Sequence, residues 1–250
     1  MADKFKAVID EPELLKESIN ALSTLLTEAV FKVTKSGLEL RAMDAANVAM
    51  ADMKLLASAF RTFEVEKDIE IALNLSDLTS ILKRSKGTDS VTLELKDNQL
   101  LVEMKGGTKR SFNLPLLDIK QDQKIPSLDF PVSIKIKTEA IEDGISDAEI
   151  VGDAVILEAD PDSFVMRAEG NSRKAEVRIE KGNDLLVELK AKDHVKSIFP
   201  LDYLKKFIKA AKLCKEATLY LGNEYPMKID FKVLDKIQLS FILAPRIESE

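Results

Sequence analysis

The sequence predicts an α+β fold built twice, with helices on one face of antiparallel sheets. Three observations carry that expectation: an ordered internal repeat at an offset of about 125 residues, a dominance of alternating apolar segments, and four stretches with helical spacing. Taken along the chain, Leu15, Ile19, Leu22 and Leu26 recur at the helical period and form one face of a first helix. Ala29-Val30-Phe31-Lys32-Val33 then alternates, turns, and returns through Arg41-Ala42 as a hairpin. Leu78, Ile81 and Leu82 mark a second helix, followed by the half-buried strands Val91 to Leu95 and Leu100 to Met104. The same order recurs in the second half. Ile141, Ile145 and Ala148 mark a third helix, and Ala154 to Glu158 with Arg167-Ala168 repeats the hairpin. Val187 to Leu189 reads as a strand, and Leu204, Phe207, Ile208 and Ala211 as a fourth helix. Ala217 to Leu221 echoes Val91 to Leu95, Lys228 to Val233 alternates, and Ser240 to Pro245 echoes Ser111 to Pro115. Two copies of one domain suggest a pseudo-symmetric object, of the kind used to surround something or to build a ring.

Between the halves, Leu114 to Pro131 holds three of the eight prolines. Proline removes a backbone donor and keeps the preceding residue extended, so this stretch is expected to be a long connector. Its spaced apolar residues Leu117, Ile119, Ile125 and Leu128 place it on a surface. The predicted organisation is therefore an N-terminal domain over 1–116, a connector over 117–130 and a C-terminal domain over 131–250.

Charged residues make up 32% of the chain and apolar ones 45%, an ordinary globular composition that gives each half a core. No apolar run approaches the ~18 residues of a membrane span. Met1-Ala2-Asp3-Lys4-Phe5 lacks a charged-then-apolar leader pattern, and a single cysteine, Cys214, cannot form an internal disulfide. A cytoplasmic location is expected. The net charge of -6 argues against a uniformly basic nucleic-acid binder but leaves room for a basic patch.

Catalytic arrangements are absent from the pattern. A histidine-based triad would have to use His194, the only histidine, which sits in Lys192-Asp193-His194-Val195-Lys196 without a nearby nucleophile pattern. His194 reads as a surface-loop residue and Cys214 as a small core filler. No Walker motif, dinucleotide fingerprint, zinc spacing or calcium loop occurs, so neither enzyme nor cofactor is expected.

Charge instead separates by helix. Asp77 to Lys86 sums to +2 and Asp202 to Lys215 to +4, against -3 for Glu11 to Glu28 and -5 for Glu139 to Glu149. Helical-wheel angles set Lys205, Lys209 and Lys212 away from the apolar face of the fourth helix, and Ser80, Lys83 and Arg84 away from that of the second. Two basic helices in an acidic chain suit a confined phosphate-tracking surface, since duplex DNA carries one charge per ~1.7 Å of axis. With no interleaved aromatics and no recognition helix, such binding would be to backbone and independent of sequence. Solvating lysines on exposed helices are the alternative.

Leu40-Arg41-Ala42-Met43-Asp44-Ala45-Ala46-Asn47-Val48-Ala49, the connector ending Ile125-Pro126, Val151-Gly152-Asp153-Ala154-Val155, Tyr203-Leu204-Lys205-Lys206-Phe207 and the terminal Leu243-Ala244-Pro245-Arg246-Ile247-Glu248 closely resemble PCNA, the sliding-clamp family of archaea and eukaryotes. The resemblance runs end to end. It implies two domains of two β-α-β-β-β units each, a head-to-tail homotrimeric ring, and a non-enzymatic role tethering replication and repair enzymes to duplex DNA. It also implies a clamp loader, and DNA polymerase, flap endonuclease and DNA ligase docking through short peptides.

Carried over by position, the resemblance implies DNA-facing residues Lys16, Lys83, Arg84, Lys86, Lys205, Lys209 and Lys212. The implied docking groove comprises Met43, Asp44, Ala45, Ala46, Val48, Leu117, Ile119, Ile125, Leu128, Phe130, Pro200, Tyr203, Pro226, Ala244, Pro245, Arg246 and Ile247. Such an apolar cleft accepts a short helical plug with aromatic anchors, while the tail offers backbone groups for strand-like pairing. Subunit contacts are implied for Lys109, Arg110, Ser111, Phe112, Asn113 and Leu114 of one copy against Ala175, Glu176, Val177, Arg178, Ile179 and Glu180 of the next. The third helix departs from the eukaryotic pattern, with Ser146 and Ile150 where bases are expected. Its acids Glu142, Asp143 and Asp147 are expected to pair with Lys83, Arg84, Lys86 or Arg110 of the neighbouring copy. Two rivals remain: a duplicated β-rich oligomer that binds only proteins, and an enzyme using the clustered carboxylates.

Overall fold

The computed structural model describes residues 4–120 and 127–246. Contacts group the chain into two units. The first holds most of the N-terminal half together with Val233–Leu239, and the second most of the C-terminal half together with Ala46–Met50.

The N-terminal half runs β1 (Phe5–Ile9), α1 (Pro12–Ser23), β2 (Glu28–Thr34), β3 (Gly37–Met43), β4 (Ala49–Leu56), β5 (Thr62–Val65), β6 (Ile69–Asn74), α2 (Leu75–Leu82), β7 (Ser90–Lys96), β8 (Gln99–Lys105) and β9 (Lys109–Pro115). The C-terminal half runs β10 (Val132–Lys137), α3 (Thr138–Glu149), β11 (Ala154–Ala159), β12 (Ser163–Glu169), β13 (Lys174–Glu180), β14 (Leu186–Lys190), β15 (Val195–Pro200), α4 (Leu201–Phe207), β16 (Glu216–Leu221), β17 (Met227–Val233) and β18 (Ile237–Leu243). The strand orders are the same in both halves. β5-β1-β7-β8-β9 corresponds to β14-β10-β16-β17-β18, and β4-β3-β2-β6 to β13-β12-β11-β15. The sequence repeat is thus a repeat of hydrogen-bonding topology.

Equivalent elements also build the two cores. In the first, Leu15 and Ile19 of α1 and Leu78 of α2 meet Phe31, Ile71 and Leu93 from the strands. In the second, Ile141 and Ile145 of α3 and Leu204 and Phe207 of α4 meet Leu157, Phe164 and Leu219. Phe207 stacks on Phe241 with ring centroids 4.6 Å apart. Each such side chain contributes about 1.5–3 kcal/mol on burial, which outweighs the weak intrinsic preference of short helices such as α2 and α4.

Local signals fix the element ends. Pro12 begins α1 where its missing N–H costs nothing, and Asn74 caps α2 by accepting hydrogen bonds from Ser76 N and Asp77 N. Asp97 and Asn98, with φ of 49° and 57°, supply the two left-handed residues of the tight β7–β8 turn.

Two helical expectations are modified. The fourth helix tightens after Phe207 into a 3-10 turn, Ile208–Leu213. With three residues per turn, Lys209 and Lys212 eclipse each other on the exposed side while Ile208 and Ala210 stay buried. The second helix stops at Leu82, so Lys83 is its C-cap and Arg84 lies in the following turn, not on the helix face. Three cations within four residues repel one another along a helix but complement its negative C-terminal end. Among the described residues no helix is long and apolar enough to cross a membrane.

Candidate nucleic-acid interface and docking surfaces

Each unit sets its two helices side by side, α1 with α2 and α3 with α4. On the first pair, Lys83, Arg84 and Lys86 are exposed and carry no ion pair among the described residues. Lys16 differs. Its side chain is only 17% exposed and its ammonium lies 2.5 Å from Glu13 and 4.0 Å from Glu17, so its charge is already compensated by its own helix. On the second pair, Lys209 and Lys212 are exposed, and Lys205 forms an ion pair with Glu149 at the end of α3. That hydrogen bond holds the Lys205 ammonium above the usual lysine value, against a smaller opposing effect of burial. Lys206 lies 4.8 Å from the centre of the Tyr203 ring. The exposed cationic set is therefore narrower than the sequence alone suggested: the turn after α2 in one unit and the 3-10 turn in the other.

α3 presents the opposite charge. Ala140, Ile141, Gly144, Ile145 and Ala148 are buried, which leaves Glu142, Asp143 and Asp147 exposed. None of these three makes an ion pair among the described residues. Arg110 is already engaged within its own chain, with Nη2 2.5 Å from Asp89 Oδ2 and Nη1 donating to the Arg84 carbonyl at 2.7 Å.

β9 and β13 are edge strands of their sheets. Both show the same exposure pattern, two half-buried positions alternating with exposed ones and a single buried residue, Leu114 in β9 and Ile179 in β13. Their register on β8 and β12 puts Arg110, Phe112 and Leu114 on the row of the buried Met104, Val102 and Leu100, and Val177 opposite Met166. Each edge thus offers a ladder of unpaired backbone groups with an apolar row beneath it.

The docking-groove residues fall in both units. In the second, Ala244 N donates to Val48 O at 3.0 Å and Arg246 N to Ile198 O at 2.7 Å, while Arg246 Nη1 meets Asp153 at 3.1 Å. These bonds hold the tail in place and consume two of the N–H groups that the sequence reading offered to a partner. Pro200 ends β15, and Tyr203, Pro226 and Leu128 are half-buried. Phe130 packs against Tyr220 and Tyr225, with both ring distances 5.7 Å. Burial raises the Tyr220 hydroxyl above the usual tyrosine range, reinforced by the carboxylate of Asp230. Met43, Asp44, Leu117 and Ile119 belong to the first unit, where Leu117 N donates to Ala72 O. Ile125 and Ile247 lie outside the described residues.

His194 is an exposed loop residue whose ring nitrogen lies 3.8 Å from Glu158. Cys214 is part-buried, and burial raises its thiol above the usual value. Two charge arrangements were not read from the sequence: Asp89, 2% exposed beneath Arg110, and Asp230, 2% exposed between Lys228 and Lys232. The alternation of β17 already sets Lys228, Asp230 and Lys232 on one face; nothing in the spacing links Asp89 to Arg110.

Comparison with known proteins gives the same architecture. A PCNA structure from Thermococcus kodakaraensis superposes with a TM-score of 0.92 at 28% identity, covering 97% of this chain and 100% of that one. A PCNA2–PCNA3 complex from Sulfolobus tokodaii, at 23% identity, shares the fold with a TM-score of 0.90 over 96% of this chain and 99% of its own. The fold is that of a sliding clamp. The family model described as proliferating cell nuclear antigen, N-terminal domain, matches residues 4–125, and that of the C-terminal domain matches residues 124–246. DNA polymerase sliding clamps of Thermococcus fumicolans and Pyrococcus furiosus are 34% and 32% identical over 246 residues, each covering 98% of this chain and 99% of its own. The chain belongs to the proliferating cell nuclear antigen family of DNA sliding clamps.

Proposed function

We propose that three copies of this chain close head to tail into a ring around duplex DNA and tether a replicative polymerase to it. The observation that carries this reading is the pairing of a doubled topology with two open edges, β9 and β13, of matching exposure pattern. A head-to-tail assembly closes when each β9 meets the β13 of the next copy. Residues 1–116 and 131–250 are then the clamp domains and 117–130 the connector. Lys83, Arg84, Lys86, Lys209 and Lys212 face the phosphates, with Lys16 and Lys205 contributing less because glutamates hold them. Contact of this kind is independent of sequence and weakens steeply with salt.

In this reading the chain is a scaffold and not an enzyme, and needs no cofactor of its own. A clamp loader opens and closes the ring. Polymerase, flap endonuclease and DNA ligase dock by short peptides against Val48, Leu128, Pro200, Tyr203, Pro226 and the tail from Ala244 to Arg246, with Met43 to Ala46, Leu117, Ile119 and Phe130 contributing. The working location is the cytoplasm on DNA, or the nucleus in a eukaryote.

Loading onto a nicked circular duplex tests the reading directly. The expected result is retention on the circle and release when the circle is linearised, because only a topological link is lost at a free end. Retention that survives linearisation, or no retention with an active loader, refutes it and leaves a protein-binding oligomer.

A further inference from the structure

We propose that Asp89 and Arg110 form a strut that positions the cationic turn after α2 on the edge strand β9. Arg110 is thereby a positioning residue for phosphate contact as well as part of the subunit edge. The inference rests on the reading of Lys83, Arg84 and Lys86 as phosphate-facing.

A helix ends with carbonyls that lack partners, and the common remedy is a left-handed glycine just past the last turn. Here no residue from 83 to 89 has positive φ. The turn is held from outside instead. Arg110 Nη1 donates to the Arg84 carbonyl at 2.7 Å, and Nη2 reaches Asp89 Oδ2 at 2.5 Å. The same Asp89 oxygen accepts the backbone N–H of Lys86 at 2.9 Å. One guanidinium and one carboxylate therefore bond the backbone of two of the three cationic residues.

The strut is built into the fold and does not rest on the surface. The Asp89 side chain is 3% exposed and that of Arg110 25%. A carboxylate so buried is costly to keep charged unless a cation and further donors compensate it. The β8–β9 turn closes over it, since a Cβ on Gly106 would stand 2.0 Å from Asp89 Oδ1. Three pieces of chain thus converge on one carboxylate: the turn after α2, the β8–β9 turn and β9 itself.

The consequence is mechanical. β9 is the strand that would pair with the next copy, so its placement also fixes where Lys83, Arg84 and Lys86 stand. Without the strut, three mutually repelling cations occupy a turn held only by local bonds such as Arg84 N to Ile81 O, Ser85 N to Leu82 O and Asp89 N to Lys86 O, and the turn opens locally.

Two variants outside the proposed contact sets test this, Asp89→Asn and Gly106→Ala, each studied as the full-length assembly. Hydrogen exchange of the amides from 83 to 89 should accelerate by about tenfold or more in both, as loss of a charged hydrogen bond implies, while β7 and β8 keep their protection. The slope of log affinity for a short linear duplex against log salt, where no topological link masks the ion pairs, should also fall by about three to five, the loss of one or two phosphate contacts from each of three copies. Unchanged exchange in both variants overturns the strut. Faster exchange with an unchanged salt slope overturns the positioning role. If the wild-type protein is not retained on nicked circles at all, the clamp reading fails and takes the positioning role with it, while exchange still reports the strut.

Discussion

Gly37 opens β3 with φ of 140°, a conformation that side chains rarely adopt, and a Cβ there would lie 2.1 Å from the Leu55 carbonyl oxygen. The clash is with backbone, so no rotamer change relieves it. Gly37→Ala should therefore destabilise the fold by about 2 kcal/mol or more, read as a lower urea midpoint at unchanged slope. An unchanged midpoint would mean that the β2–β3 turn relaxes freely. Gly144 acts differently. It lies inside α3, where its missing side chain admits Met166, whose sulfur would be 2.5 Å from an added Cβ. Periodicity alone marks Gly144 as a weak point of a helix; only the packed β12 explains it. Cys214 belongs to the same scale. Burial raises its thiol, so less thiolate forms at a given pH, and a thiol reagent at pH 8 should label the folded chain more slowly than the urea-unfolded one. Equal rates would show that the site opens faster than it reacts.

At the scale of elements, Glu216 at the start of β16 joins Lys137, which precedes α3, and Lys135 on β10, 2.9 Å away. The hydrogen bond from Lys137, then that from Lys135, lowers its carboxyl from about 4.5 to about 2. A carboxylate lowered on folding stabilises above its unfolded value and loses that contribution as pH falls through the folded one. Glu216→Gln should thus cost about 1 kcal/mol or less at pH 7, because all three side chains are partly solvated, and the gap to wild type should close between about pH 4.5 and 2. A gap that persists at pH 2 in urea titrations would assign the loss to packing instead of charge. Elements of this kind also mark how far the sequence could be read. Helical and alternating periods located all four helices and most strands, because those periods are local. The halt of α2 at Leu82 and the 3-10 turn after Phe207 were not visible, because both depend on what the ends meet. Lys205 was read as an open cation from a wheel, which shows direction only, and Lys16 from its position in the family resemblance; the carboxylates of Glu13 and Glu149 reduce their availability. Asp89 and Arg110 lie 21 residues apart and meet only because β9 returns beside the turn after α2.

At the scale of the whole molecule, the two halves share a topology and differ in charge, which a closed head-to-tail assembly requires if one end is to recognise the other. The exposed Glu142, Asp143 and Asp147 of α3 carry no ion pair among the described residues, and the exposed Lys83, Arg84 and Lys86 after α2 carry none either. With Arg110 bonded to Asp89, the three cations of that turn are the proposed partners of a neighbour's acids. An exposed pair contributes roughly 0.2–1 kcal/mol, too little to decide a fold. In the proposed three-membered ring it recurs at every boundary, so a change of about 1 kcal/mol per boundary sums to about 3 kcal/mol, roughly a hundredfold in the dissociation constant. Asp143→Lys adds like-charge repulsion to the loss and should move the assembly from trimer toward monomer in light scattering at micromolar concentration. The proposed wild-type trimer should weaken as salt rises, and the variant should respond less, since screening removes attraction in one and repulsion in the other. Arg84→Glu on the same chain should restore assembly by reversing both charges at each boundary. If Asp143→Lys remains trimeric at low and high salt alike, the ring is held by the β9 and β13 ladders alone, and the acids of α3 serve something other than closure.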